Sequence, residues 1–371
     1  NDAVNGDMAP HYWDNPFWER YKNVENDSRE RVYGSLGMTY QINDWLSLTG
    51  RGMTDLYTDR REERIATGGV RIPKYSETIR TVKETNFDAI LNLNRDLSED
   101  LTLTGLVGVN QRLRTYNLNS GETQGGLNTP GFYSLANSAS ELLTKDELST
   151  KKVNSAFAQA SFGYKRMLYV DITGRNDWSS TLPADNNSYF YPSATASFIV
   201  SEVLDASWLS FAKVRLGWAQ VGNDTDPYQT TVSYLVNPNF GSNPNASVPN
   251  SLYNADLRPE KTSGLELGLE GSLLLDKIRF DVTFYKQTTE DFIFNVSQSA
   301  STGYSSRLLN AGTVENTGVE LMLGGTPVET ESGFRWDVSI NWSKNNNELV
   351  EIAEGIETIR LTSLFGVALE A

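Results

Sequence analysis

LYVDITGRNDWSSTLP, residues 168–183, begins as a strict alternation and ends in a polar cluster. In an extended chain successive side chains point to opposite faces. Leu168, Val170 and Ile172 therefore fall on one side, and Tyr169, Asp171, Thr173 and Arg175 on the other. The cluster Arg175-Asn176-Asp177-Trp178 that follows has the residue types of a binding loop, and equally those of a strand leaving its sheet. The pattern of the whole chain has to arbitrate.

The same alternation recurs many times between turn residues. RVYGSLGMTYQI (31–42) puts Val32, Leu36, Met38, Tyr40 and Ile42 on one face, and WLSLTGRGMTD (45–55) answers it after Asn43-Asp44. NFDAILNLNRDL (86–97) and LTLTGLVGVN (101–110) repeat the arrangement, as do VNSAFAQASFGY (153–164), WLSFAKVRLGWAQVG (208–222) and SGLELGLEGSLLL (263–275). KIRFDVTFYKQ (277–287), NTGVELMLGGT (316–326) and FRWDVSINWSKN (334–345) complete the set. About a dozen strands of roughly ten residues result, longer than the five or six of an ordinary soluble strand.

Connections come in two sizes that alternate down the chain. Short ones lie at 41–45, 96–101, 163–167, 275–277 and 327–334. Long polar ones lie near 58–77, 115–150, 176–189, 223–260 and 287–312. Sorted this way, all short turns collect at one end of the hairpins and all long loops at the other, as in an outer-membrane barrel. The polar face carries whole charges (Arg51, Asp88, Asp171, Arg175, Glu266, Glu270, Asp281, Asp337), which a dry core would not accept unpaired. An apolar face in lipid and a wet lumen accommodate both. The reading is therefore all-β: a partial transmembrane antiparallel β-barrel, with residues 1–371 part of one such domain. Tyr40, Trp45, Tyr164, Trp208, Phe211, Trp336 and Trp342, near strand ends, are expected at the membrane interfaces. A soluble propeller or sandwich is the competing fold; no 40-residue repeat supports a propeller.

Composition closes other routes. The 371 residues include no cysteine and one histidine, His11, so disulfides, thiolate metal sites and multi-histidine cages are excluded. A net charge of −15 repels nucleic acid. Adjacent carboxylates (Glu62-Glu63, Asp146-Glu147, Glu290-Asp291) read as solvated loop residues rather than a glycosidase pair. Asn223, Asp224 and Asp226 offer oxygens for a loop calcium ion, without the glycine and distal glutamate of an EF-hand. No other cofactor is implied. ANSASELLTKDELSTKK (136–152) is the one stretch with helical spacing, through Leu142, Leu143 and Leu148.

Several blocks, in this order, resemble the SusC/RagA family of TonB-dependent outer-membrane transporters. They are residues 14–55, LYVDITGRNDWSSTLPADNNSYFYPSATASFIVSE (168–202), LSFAKVRLGWAQVGNDTDPY (209–228), LRPEKTSGLELGLEGSLLLDKIRFDVTFYKQTTEDFI (257–293) and NAGTVENTGVELML (310–323). The resemblance implies a plugged barrel of about 22 strands in the bacterial outer membrane. It implies import of glycans or peptides, energy from a TonB complex acting through the plug, and a SusD-like surface lipoprotein over the extracellular mouth. This chain carries no recognisable plug or TonB-box segment, and is read as an internal portion of a longer polypeptide. Ligand contact would then fall to residues such as Arg175, Asn176, Asp177 and Trp178. A structural or accessory role in an envelope complex is the alternative, and a soluble β lectin or enzyme a more remote one.

Overall fold

The computed structural model describes residues 13–352, 360–362 and 368–370. Twelve strands form one antiparallel sheet in which each pairs with its neighbours in chain order. They are β1 (Val24–Asn43), β2 (Leu46–Ile65), β3 (Lys74–Asp96), β4 (Leu101–Leu127), β5 (Ser138–Tyr164), β6 (Leu168–Ser179), β7 (Ser188–Ile199), β8 (Leu209–Asn223), β12 (Glu260–Leu273), β13 (Ile278–Glu290), β16 (Thr313–Glu329) and β17 (Arg335–Glu351). Five short strands lie in the long connections: β9 (Leu235–Phe240), β10 (Asn243–Ser247), β11 (Ser251–Leu252), β14 (Ile293–Ser297) and β15 (Ser306–Asn310). A single helix turn, α1 (Pro16–Tyr21), precedes β1; Asn15 caps it by accepting from the Phe17 N–H. Within the described residues β1 and β17 are each paired on one side only.

Directly opposed residues of antiparallel strands share a face, so the register maps both sides. One cross-strand row runs Leu46, Leu93, Gly105, Ala160, Ile172, Ala194, Trp218, Leu265, Lys286, from β2 to β13. It begins on the first residue of β2 and ends on the ninth of β13. The row thus climbs by about one residue per strand, the stagger that tilts strands so that a sheet can close into a barrel. All residues of this row are apolar or small until the climb brings Lys286 above the band. Leu36, Met38, Leu48, Phe87, Val107, Ile172, Leu216, Leu267, Phe284 and Ile340 on this same face are exposed large hydrophobics. An uncovered apolar face of this extent requires lipid rather than water.

Connections at one end are turns at 44–45, 97–100, 165–167, 200–208, 274–277 and 330–334; at the other they span 66–73, 128–137, 180–187, 224–259 and 291–312. Lys165 and Arg166 both take positive φ (50° and 57°), the twist-matched hairpin geometry. Beneath the long connections lies the one buried apolar cluster among the described residues: Leu182, Leu257 and Leu308, flanked by Tyr189, Tyr253 and Ile293. Leu257 has no exposed surface. The connections at 180–187, 224–259 and 291–312 are thereby folded onto one another.

Two expectations are corrected. Most of 58–77 and 115–150 is strand, because β2–β5 run on past the apolar band; β4, at 27 residues, would extend about 90 Å. Its upper half carries polar residues on both faces, so polarity no longer alternates there and composition alone suggests loop. Residues 136–152 are not helical beyond a 3-10 turn at Leu135–Asn137; they pair with β4 from Leu143↔Glu122 downward. The strand pairing with β4 hydrogen-bonds this stretch along one edge, which a short isolated helix with exposed leucines could not match in stability.

An arginine on the apolar face should be costly and one on the polar face tolerated. Leu216→Arg is expected to destabilise the folded barrel by about 2–4 kcal/mol, and Gln159→Arg by well under 1 kcal/mol, read by denaturant unfolding from lipid bilayers.

Candidate functional site

The polar face is built from cross-strand ion pairs placed by the same register. On β1–β3, Arg31 grips Asp55 through two hydrogen bonds (2.8 and 2.6 Å), while Arg29 and Arg61 converge on Asp59. The hydrogen bonds from Arg29 and then Arg61 hold the Asp59 carboxyl below the usual carboxylate range. Arg51 lies 3.0 Å from Asp88, which also accepts from Asn110 (2.7 Å). Further along, Arg215 makes a bidentate pair with Asp281 (2.9 and 2.7 Å) and reaches Thr283, while Lys213 pairs with Glu270 at 2.6 Å. Arg215 and Asp281 line a groove of about 410 Å³ with Thr283, Glu320, Asn341 and Ser343. Charge-assisted, geometrically matched pairs let a wall of full charges exist without unpaired burial.

The polar cluster of 175–178 is split by the strand. Arg175 Nε donates to Asp177 (2.8 Å) and to the Tyr191 hydroxyl (2.8 Å), and Nη2 donates to Ser155 (2.6 Å). Tyr191 in turn donates to Asp177, which is only 7% exposed. The Arg175 guanidinium stacks over the Phe157 ring, 5.4 Å from its centroid. Gly108 makes room for that ring: a Cβ there would meet Phe157 Cζ at 2.5 Å. Asn176 and Trp178 belong to the opposite, apolar face; Asn176 donates to Ser188 (3.0 Å) and Trp178 is 41% exposed. Period-two geometry therefore brings Arg175 and Asp177 together and separates them from Asn176 and Trp178.

The three candidate calcium ligands do not converge either. Asp224 accepts from Lys151 and Ser179, and from Thr181 at 3.4 Å, so its carboxylate already has a cation of the protein's own. Asn223 donates to Glu260 (2.9 Å) across to β12. Asp226 lines a separate cleft of about 320 Å³ with Arg114, Tyr116 and Tyr228. Among the described residues no group of three or more His, Cys, Asp or Glu is arranged for a metal. His11 lies outside the described residues.

Of the aromatics expected at the interfaces, Tyr40, Trp45, Tyr164, Trp208 and Trp336 sit near the short-turn end. Trp342 is the last apolar residue before Lys344 on its face of β17. Phe211 is placed differently: it shares a face with Lys213 and Arg215, and Lys213 Nζ lies 5.9 Å from its ring centroid. Arg215, Thr283, Tyr191 and Glu320 were not singled out in the sequence; each occupies the polar phase of its strand, which was the available signal.

The profile of the family "TonB dependent receptor-like, beta-barrel" matches residues 2–359. The TonB-dependent receptor P26 of Formosa agariphila is 26% identical over 365 residues, covering 94% of this chain and 36% of that protein. The TonB-dependent receptor SusC of Bacteroides thetaiotaomicron is 28% identical over 213 residues, 54% of this chain and 21% of that protein. Among solved structures, the RagAB peptide transporter superposes with a TM-score of 0.81 at 20% identity, over 93% of this chain and 39% of that one. The chain thus spans about a third of the length of curated relatives that it matches.

Removing the cation beside Asp224 should loosen the connections it ties down. Lys151→Met is expected to cost about 3 kcal/mol locally by leaving a buried carboxylate unpaired, seen as faster amide hydrogen exchange across 179–189 and 224–229. Unchanged exchange would contradict the ion pair's structural role. Gly108→Val should displace Phe157 and with it Arg175, raising exchange near Asp177 while leaving the β1–β3 end as it was.

Proposed function

This chain belongs to the TonB dependent receptor-like β-barrel family, and from that premise we propose that it forms part of the wall of an outer-membrane importer of glycans or peptides. The observation that carries the proposal is the division of one continuous sheet into an uncovered apolar face and an ion-paired polar face, with all long connections at one end. A barrel wall uses both faces: the apolar one seats in hydrocarbon, and the polar one lines a wet lumen. The long end then faces outward from the cell, where β2–β5 and the folded connections at 180–187, 224–259 and 291–312 surround the mouth.

In such a device the chain's residues act by binding and shaping rather than by covalent chemistry, in keeping with relatives that are receptors. The Arg215–Asp281 groove and the Arg114–Tyr116–Tyr228 cleft each present donors and acceptors side by side. This suits hydroxyls or amides of a polar ligand, and in the cleft Tyr116 and Tyr228 add phenol rings to stack against. Arg175 and Asp177, fully engaged with Tyr191 and Ser155, support the wall at the mouth and hold ligand only by exchanging those partners. A TonB complex supplies energy through a plug, and a SusD-like lipoprotein caps the mouth; both are partners in this proposal.

The test is uptake by cells carrying the complete receptor, on media whose sole carbon source is a defined oligosaccharide mixture or a defined peptide mixture. Deleting the receptor should abolish growth on one of them, and dissipating the proton gradient should abolish uptake of that same mixture. Uptake that survives the uncoupler would contradict active import; growth unaffected on both would favour an accessory role in the envelope.

A further inference from the structure

The long connections leave a cleft of about 320 Å³ between the upper wall and the 224–229 segment. Arg114 and Tyr116 reach it from the polar face of β4, and Ser149 from β5, where it opposes Tyr116. Asp226, Tyr228 and Gln229 close the other side. Lys151, opposite Arg114 on β5, holds the two sides together: it pairs with Asp224 and donates to the Thr225 carbonyl (3.1 Å). Tyr228 takes φ 65°, a left-handed conformation that is costly for an aromatic residue, and remains 65% exposed. Strain of this kind persists where the surrounding structure enforces it, and it clusters at ligand clamps.

Charges of both signs surround the cleft, and most are already engaged. Lys151 is taken by Asp224, and Glu147 by Lys145 at 3.0 Å. Glu84, opposite Arg114 on β3, is turned to Asn86, from which it accepts at 3.1 Å. Arg112 lies one step lower, opposite Asn86. Among the described residues, neither Arg114 nor Asp226 has an ion-pair partner. One cation and one anion, both unengaged, therefore share a cleft with two phenol rings, a hydroxyl and an amide. A neutral sugar would leave both charges without partners, and a simple anion or cation would be repelled by one of them. A molecule carrying both charges satisfies both.

We propose that this cleft binds a short peptide with free ends, its carboxylate on Arg114 and its ammonium on Asp226. Arginine–carboxylate contacts are charge-assisted and geometrically matched. The peptide's backbone amides meet the Gln229 amide and the Ser149 hydroxyl, and its side chains lie against the rings of Tyr116 and Tyr228. The proposal rests on the importer reading and narrows the cargo to peptides.

The test is calorimetric titration of the complete receptor in detergent with tetra-alanine, its N-acetylated form, its C-amidated form and maltotetraose. Tetra-alanine should bind about tenfold tighter than either capped form, a difference of about 1.4 kcal/mol, and maltotetraose should not compete with it. R114Q should become indifferent to C-amidation while still sensing N-acetylation, and D226N the reverse. Each variant is thus the other's control for folding, since each keeps one response. Equal binding of free and capped peptides, capping responses that the two variants leave unchanged, or competition by maltotetraose would overturn the proposal. In the uptake experiment, growth lost on the oligosaccharide mixture alone would refute the peptide site and leave the importer standing. Growth unaffected on both mixtures would refute the importer reading itself.

Discussion

In hydrocarbon no water is available to an unpaired backbone N–H or C=O, so every strand of a membrane-crossing sheet has to be hydrogen-bonded on both sides. The rest of this structure depends on that constraint. Pairing is continuous from β1 to β17 in chain order, with every neighbouring strand antiparallel. Irregular backbone is confined to the two ends. Because the ladder fixes which residues oppose one another, it also fixes the two faces. The one-residue climb per strand then sets the tilt, and lifts Lys286 and Lys344 out of the apolar band.

The same ladder makes a charged wall affordable in energetic terms. Arginines on the polar face are delivered beside carboxylates of nearby strands: Arg31 to Asp55 and Arg51 to Asp88 on the adjacent strand, and Arg215 to Asp281 across the intervening β12. Bidentate geometry holds Arg31–Asp55 and Arg215–Asp281 where isolated charges would have to remain fully solvated. At the mouth the network becomes denser, and Asp177 and Asp224 are each ringed by hydroxyls and a cation. That density matches the apolar cluster around Leu257 directly beneath the connections, so the mouth at β6–β8 is a packed unit and the polar cluster after Thr173 is part of its frame.

Most of the architecture was legible in the sequence where lipid meets the sheet. There, burial on one face and water on the other write a period of two, and the predicted sides of Leu168–Arg175 match the observed register. Legibility failed where both faces are polar. The upper halves of β4 and β5 carry no alternation of polarity, so residues 115–150 resembled a loop with a helix in it. It failed again for the site, because sequence proximity is not spatial proximity in a strand: Arg175 and Trp178 are near neighbours in the chain and lie on opposite faces. Asp224 looked like a metal ligand because its partner, Lys151, is 73 residues away.

The central claim, that one face of the sheet meets lipid and the other water, is open to direct measurement because the chain has no cysteine of its own. Single cysteines placed in turn at positions 168 to 173 of the complete receptor, in outer membranes, can be challenged with a charged, membrane-impermeant maleimide. The account predicts labelling at 169, 171 and 173 once access to the lumen is provided, and protection at 168, 170 and 172. Uniform labelling along the strand, or the opposite phase, would contradict it.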